Sequence, residues 1–247
     1  MPRTRIKNNR INIFGLGSLK FFKQDLPEGK IKQARIVKRA SGWYLQLTLD
    51  AKHTFKVNSG GKVGIDTGFK HLAILSDGVK IENQRSYLNS QERLAQAQRG
   101  SRKKLVSRLH ERISNQRKDY NHKVSRKIVE NYSEIYCTND NLKGQQKTFG
   151  KSIGDAVISQ LRRFISYKSD NHDRKFVLVD SKYTTMTCNS CDSLTGPKGF
   201  AGLKVRFWEC SSCGAKHDRD INSARNILKI GAGFALVSNG GENQCQI

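Results

Sequence analysis

Two Cys-x-x-Cys pairs, Cys188 with Cys191 and Cys210 with Cys213, stand 18 residues apart in a chain of 247. No other feature restricts the fold as tightly. The spacing matches a four-thiolate zinc ribbon, in which each pair sits on a tight knuckle and the sulfurs close a tetrahedron. Cys137 and Cys245 are solitary, which speaks against a disulfide framework. Four thiolates leave no open coordination position, so the zinc expected here is structural. The interval DSLTGPKGFAGLKVRFWE has room for a short hairpin. Gly214 follows the second pair as a knuckle glycine should, whereas Asp192 follows the first, where glycine is expected. The frame would present Lys198, Lys204, Arg206, Phe207 and Trp208, a cation-plus-aromatic set suited to phosphates and unstacked bases. One of the two aromatics is expected to pack the ribbon instead.

The net charge is +24, too large an excess for an ordinary solvated surface, and it points to a polyanionic partner. No apolar run approaches the ~20 residues of a spanning helix. The start, MPRTRIKNNR, lacks the apolar segment of a secretory signal. These features give the expectation of a soluble, cytoplasmic, nucleoid-associated protein with no membrane role. From 84 to 131, 13 Lys and Arg face 4 Asp and Glu. Leu105, Leu109, Ile113, Tyr120, Val124 and Ile128 recur at spacings of 4 and 7, which predicts one long helix with a single apolar stripe. Its other faces carry Arg102, Lys103, Lys104, Arg108, Arg112 and Lys123. A charged face is usually just solvated, but a threefold sign imbalance favours phosphate contact.

Residues 11–57 read as short strands, with a hairpin around Ala40-Ser41-Gly42 lined by Lys30, Lys32, Arg35, Lys38 and Arg39. Beyond the NSGG linker, KVGID, HLAILS and VKIE read as three strands, the last two joined at Asp77-Gly78. EIYCT and KFVLVD are further strands, separated by a helix near 152–168, and DINSARNILKI is a closing helix. This order predicts a mixed sheet flanked by helices.

Asp66 ends the first of those strands. Asp218 and Asp220 open the closing helix on different sides. Asp220 shares its face with Ser223, Ala224 and Ile227, small enough to lie close to a sheet, while Asp218 suits the N-cap. Asp220 is therefore the candidate partner of Asp66. An acid on strand one, one on a middle strand and one on the last helix make an RNase H-like arrangement, able to hold two magnesium ions about 4 Å apart.

Taken together, GIDTGFKHLAILSDG, IYCTNDNLKG, CNSC…CSSCG and HDRDINSARNIL resemble the TnpB family, transposon-encoded RNA-guided nucleases related to type V CRISPR effectors and often described as transposases. The resemblance spans residues 62–231. It implies an α/β protein with an RNase H-like (RuvC) mixed sheet over 62–182, a zinc ribbon over 183–216, a closing helix over 217–234 and a loose tail. It also implies DNA and a guide-like RNA as partners of a monomer. Residues 1–61 resemble only the second half of the family's N-terminal β-barrel (wedge), so the resemblance implies an N-terminally truncated member.

The family's middle strand reads roughly I-x-x-E-D-L-N-x-K-G, with the Glu as third catalytic carboxylate. Here that frame runs from Ile135 to Gly144, and Thr138 stands at the Glu position. The resemblance thus implies catalytic Asp66 and Asp220 without their partner, impaired magnesium binding, and a protein that binds nucleic acid without cutting. Two alternatives stand beside it. Asp140, on the same strand face but displaced by about 7 Å at ~3.3 Å rise per residue, could serve as a substitute in an active endonuclease. The chain could also be a plain zinc-ribbon nucleic-acid binder.

The charge pattern sets an expectation for binding. Six to ten phosphate contacts would cost roughly 10³–10⁵ in affinity between 50 and 200 mM salt. Reversing Arg108, Arg112 and Lys123 to Glu weakens binding to every sequence alike, which filter binding on unrelated duplexes checks.

Overall fold

The computed structural model describes residues 6–234 apart from 14, 23, 27, 51–54, 140–156 and 203. The chain divides into two compact units, residues 1–54 with 92–112 and residues 55–91 with 113–247.

In the first unit, strands β1 (Ile6–Lys7), β2 (Arg10–Ile13) and β3 (Gly17–Lys20) form an antiparallel sheet in chain order. Strands β4 (Lys30–Arg39) and β5 (Gly42–Asp50) form a separate two-stranded hairpin. Among the described residues these strands do not close into a barrel. The expected hairpin turn is present, and Glu111 fastens it by accepting from the Ser41 amide at 2.8 Å and the Ser41 hydroxyl at 2.7 Å. Lys38 and Arg39 lie over the rings of Trp43 and Tyr44, and both rings are exposed.

The expected long helix is α2 (Lys103–Asn131), and a shorter one, α1 (Gln91–Arg99), precedes it. The break falls at Gly100-Ser101, where Ser101 takes the left-handed region at φ 52°. The apolar stripe holds across α2: Leu109, Ile113, Val124 and Ile128 are buried, and Leu105 and Tyr120 are half-buried.

The second unit is built on β6 (Lys62–Thr67), β7 (His71–Leu75), β8 (Lys80–Glu82), β9 (Glu134–Thr138) and β10 (Lys175–Val179). The sheet order is β10-β9-β6-β7-β8, with β6, β9 and β10 parallel and β7 and β8 antiparallel. The strand sequences are apolar on both faces because both faces are covered. On one side Val63, Ile65, Ile135 and Cys137 pack with Val124, Ile128 and Val129 of α2 and with Leu161 and Ile165 of α3 (Ile158–Asp170). On the other, Tyr136 and Val179 pack against Ile227 of the closing helix. The expected start of α3 near 152 lies outside the described residues.

That closing helix lies directly on the central strand. A β-carbon at Gly64 of β6 would stand 2.1 Å from the Ala224 carbonyl oxygen and 2.6 Å from the Leu228 amide nitrogen. Only a residue without a side chain allows this approach. Gly64→Ala is expected to cost about 3 kcal/mol and to lower Tm by roughly 6–12 °C, because backbone on both sides must move. Gly61→Ala, which meets nothing within 4 Å, serves as the near-neutral control in the same calorimetric comparison.

Candidate metal centre and strand-end carboxylates

The two cysteine knuckles are built alike. The Cys188 amide donates to Ser193 O and the Cys188 carbonyl accepts from the Asp192 amide, at 2.9 and 2.8 Å. The Cys210 amide donates to Ala215 O and its carbonyl accepts from the Gly214 amide, at the same two distances. Gly214 has φ 70° and Asp192 φ 61°, so both knuckles need a left-handed residue at the same place. Asp192 tolerates that backbone, as Asp does more readily than most residues, and its carboxylate gains an ion pair with Lys229 at 2.9 Å. The glycine missing from the sequence is thus replaced by a residue that ties the knuckle to the closing helix, α5 (Arg219–Gly231).

All four sulfurs lie within 4.8 Å of one another and could hold a metal such as zinc. The four cysteines form no disulfide. Their acidities divide two and two. The Thr195 hydroxyl pulls Cys210 down to about 6, and Ser193 lowers Cys191. Burial raises Cys188. The Ala215 amide lowers Cys213, yet the Cys191 sulfur, burial and the other two thiols push it up to about 12. Four thiolates so close repel one another, and a divalent cation relieves that repulsion. His217 places Nε2 at 3.1 Å from Cys188 Sγ and its ring 4.8 Å from Trp208, an orienting contact absent from the sequence reading. Among the described residues, the inter-cysteine interval, which has room for a hairpin, forms none within itself. The interval instead makes a short turn of helix, α4 (Gly199–Gly202), and β11 (Phe207–Glu209), whose partner β12 (Lys216–Asp218) follows the second pair.

A buried amide lattice fastens the ribbon to α5. Asn222 accepts from the Asn189 amide at 2.9 Å and donates to Thr187 O at 2.8 Å. Asn226 donates to Thr184 O and Thr187 O at 2.8 and 2.7 Å. These two asparagines, one turn apart and both buried, carry a motif signal of their own: amides at i and i+4 beside the small and apolar face of Ala224, Ile227 and Leu228.

The carboxylates follow. Asp218 caps α5, accepting from the Asp220 and Ile221 amides at 3.0 and 3.2 Å. Burial works against its charge, but Lys80 at 2.6 Å and the two amides hold it below the usual carboxylate range. Asp220 is gripped on both oxygens: Arg206 Nη1 donates to Oδ2 at 2.7 Å, and Arg219 donates to Oδ1 from Nη2 at 2.9 Å and Nε at 3.1 Å. Asp66, half-buried on β6, pairs across the sheet with Ile74. The β6–β9 register ends at Ile65 with Cys137, so Asp66 and Thr138 are the next residues on neighbouring strands. Thr138 is fully buried, with its hydroxyl 2.9 Å from that of Thr67. Arg162 of α3 donates to both hydroxyls, at 3.0 Å to Thr67 and 3.1 Å to Thr138. Asp140 lies outside the described residues. Among those described, the cysteine quartet is the one group of three or more His, Cys, Asp or Glu that converges on a common point.

Arg102, Lys103, Lys104, Arg108 and Arg112 are exposed in the first unit, and Lys123 is exposed in the second. Two of them have partners of their own: Arg108 reaches Ala40 O at 3.3 Å, and Lys123 pairs with Asp119 at 2.7 Å. On the ribbon, Lys198 and Lys204 are exposed, Arg206 is committed to Asp220, and the outward aromatic is Phe207 rather than Trp208.

A family model described as "Probable transposase" matches residues 46–144, and one described as "Cas12f1-like, TNB domain" matches 159–227. A "Putative RNA-guided DNA endonuclease" of Streptomyces pristinaespiralis is 33% identical over 87% of this chain and 57% of its own length. The "CRISPR-associated endodeoxyribonuclease Cas12f1" of Sulfoacidibacillus thermotolerans is 27% identical over 76% of this chain and 50% of its own. In solved structures, the protein of a cryo-electron-microscopy "Cas12f1-sgRNA-target DNA complex" superposes with TM-score 0.54 at 18% identity, over 78% of this chain and 55% of that one. The chain thus spans little more than half the length of these relatives. No described helix is long and apolar enough to cross a membrane.

The quartet makes its own prediction. Elemental analysis of protein purified without chelator is expected to give one zinc per chain, lost in Cys210→Ser. Chelation is expected to change the near-ultraviolet circular dichroism of Trp208 while the far-ultraviolet signal of the sheet persists. Zinc-free protein with a native Trp208 signal would contradict this.

Proposed function

The chain belongs to the TnpB family, and from that membership we propose that it binds DNA together with a guide-like RNA but no longer cuts. The sheet order β10-β9-β6-β7-β8, with α5 across its centre, supports reading the second unit as the family's RNase H-like (RuvC) domain. On that reading the strands of the first unit belong to its wedge. Asp66 and Asp220 are then the two surviving catalytic acids, and Thr138 marks the third position.

The observation that carries the proposal is the buried Thr138 hydroxyl, closed into a ring with Thr67 and Arg162. A two-metal phosphodiester centre needs carboxylates that converge and can shed their other partners. The described residues do not fit a magnesium pair. One acid position is a neutral hydroxyl, and Asp220 is already neutralised by Arg206 and Arg219. What remains suits binding: the net charge of +24, the cations of α2, Lys198 and Lys204 beside exposed Phe207, and a ribbon held rigidly to the sheet. These supply phosphate contacts and a stacking surface. The partner assignment is supported by relatives named as RNA-guided endonucleases.

The test compares wild type, Thr138→Glu and Asp140→Ala on single-stranded and duplex DNA with magnesium or manganese. Salt-sensitive binding without cleavage by wild type is expected. Robust wild-type cleavage that disappears in Asp140→Ala would overturn the proposal and establish Asp140 as a displaced catalytic acid.

A further inference from the structure

Arg162 occupies a position no cation should take by default. It lies on the inward face of α3, beside Leu161 and one turn from Ile158 and Ile165, all of them fully buried or nearly so. Arg162 itself is 8% exposed. A guanidinium in such a place is costly unless it answers to something in the fold. Its Nη2 ends between the Thr67 and Thr138 hydroxyls, at the ends of β6 and β9, where Asp66 also stands.

We propose that Arg162 is a built-in counter-charge that has taken the place of a metal ion at position 138, so that a carboxylate restored there pairs with Arg162 instead of recruiting metal. The inference rests on reading this strand end as the family's former carboxylate site. A Glu side chain is longer than Thr, and the guanidinium already lies within hydrogen-bond reach of the Thr138 hydroxyl. An introduced carboxylate therefore meets a fixed partner with several N–H donors before it meets solvent metal. A divalent cation approaching the same point is repelled by the same guanidinium. The two substitutions are thus coupled: with Arg162 present, a carboxylate at 138 is tolerated and metal-free. Without Arg162, the carboxylate is a buried unpaired charge, relieved by a bound cation or by protonation. Arg162 is a positioning residue in this scheme.

The experiment is a double-mutant cycle on the full chain: wild type, Thr138→Glu, Arg162→Gln and the double variant. Gln is chosen because it removes the charge and keeps an N–H donor. Denaturant unfolding and manganese binding by electron paramagnetic resonance are both measured, so that neither readout is activity. Thr138→Glu alone is expected to change the folded-to-unfolded ratio less than tenfold and to bind no manganese at the strand end. In the Arg162→Gln background the same substitution is expected to cost at least ~30-fold more, with much of the loss recovered by millimolar manganese. Arg162→Lys, which keeps the charge, is expected to keep most of the tolerance even if Arg162→Gln folds poorly. Additive effects, or manganese binding by Thr138→Glu as tight as that of the double variant, would overturn the proposal. Strong coupling without manganese uptake by the double variant would support the role of Arg162 and contradict instead the reading of this strand end as a former metal site.

Discussion

The approach of α5 to β6 at Gly64 is the contact on which the second unit depends. With no β-carbon in the way, the helix backbone lies directly on the central strand, where Ala224 and Leu228 would otherwise clash. That approach sets the height of every residue on α5. Asp220 lies one turn before Ala224 on that helix. The same approach turns Asn222 and Asn226 toward the ribbon, where they bind the carbonyls of Thr184 and Thr187. Lys229 then reaches Asp192 on the first knuckle. A single missing side chain thus couples the sheet, the candidate acids and the cysteine module into one arrangement.

At the strand end, charge is balanced from within the protein. Asp220 takes two arginines, one from the ribbon and one from its own helix. Asp218 takes Lys80 and two amides. Thr138 takes Thr67 and Arg162. In a metal centre the same positions would leave oxygen lone pairs directed at an ion, because carboxylates close together repel unless a cation sits between them. Here guanidinium and ammonium groups fill that need through ordinary hydrogen bonds.

Much of this was legible because it follows from local pattern. The apolar runs around Ile65, Leu72 and Ile135 gave the strands, the Leu109–Ile128 spacing gave α2, and the cysteine spacing gave the ribbon. Asp218 as N-cap followed from helical geometry alone. The failures have physical causes. The ribbon's hairpin pairs across the second cysteine knuckle instead of within the interval, and nothing local sets that register. Trp208 and Phe207 are neighbours on one strand, so one must face in, and the pattern does not say which. Arg162 has no place in the sequence reading. Its burial depends on Thr67 and Thr138, 95 and 24 residues away in sequence, and no window along the chain joins the three.

The central claim is that the strand end beside Asp66 is neutralised by protein cations while the cysteine quartet holds the metal. Anomalous diffraction from crystals soaked in manganese, recorded on both sides of the zinc and manganese edges, tests it most directly. The account predicts a zinc peak among Cys188, Cys191, Cys210 and Cys213, and no manganese peak near Asp66 and Asp220. A manganese ion bound by those two aspartates, with Arg206 swung away from Asp220, would contradict it.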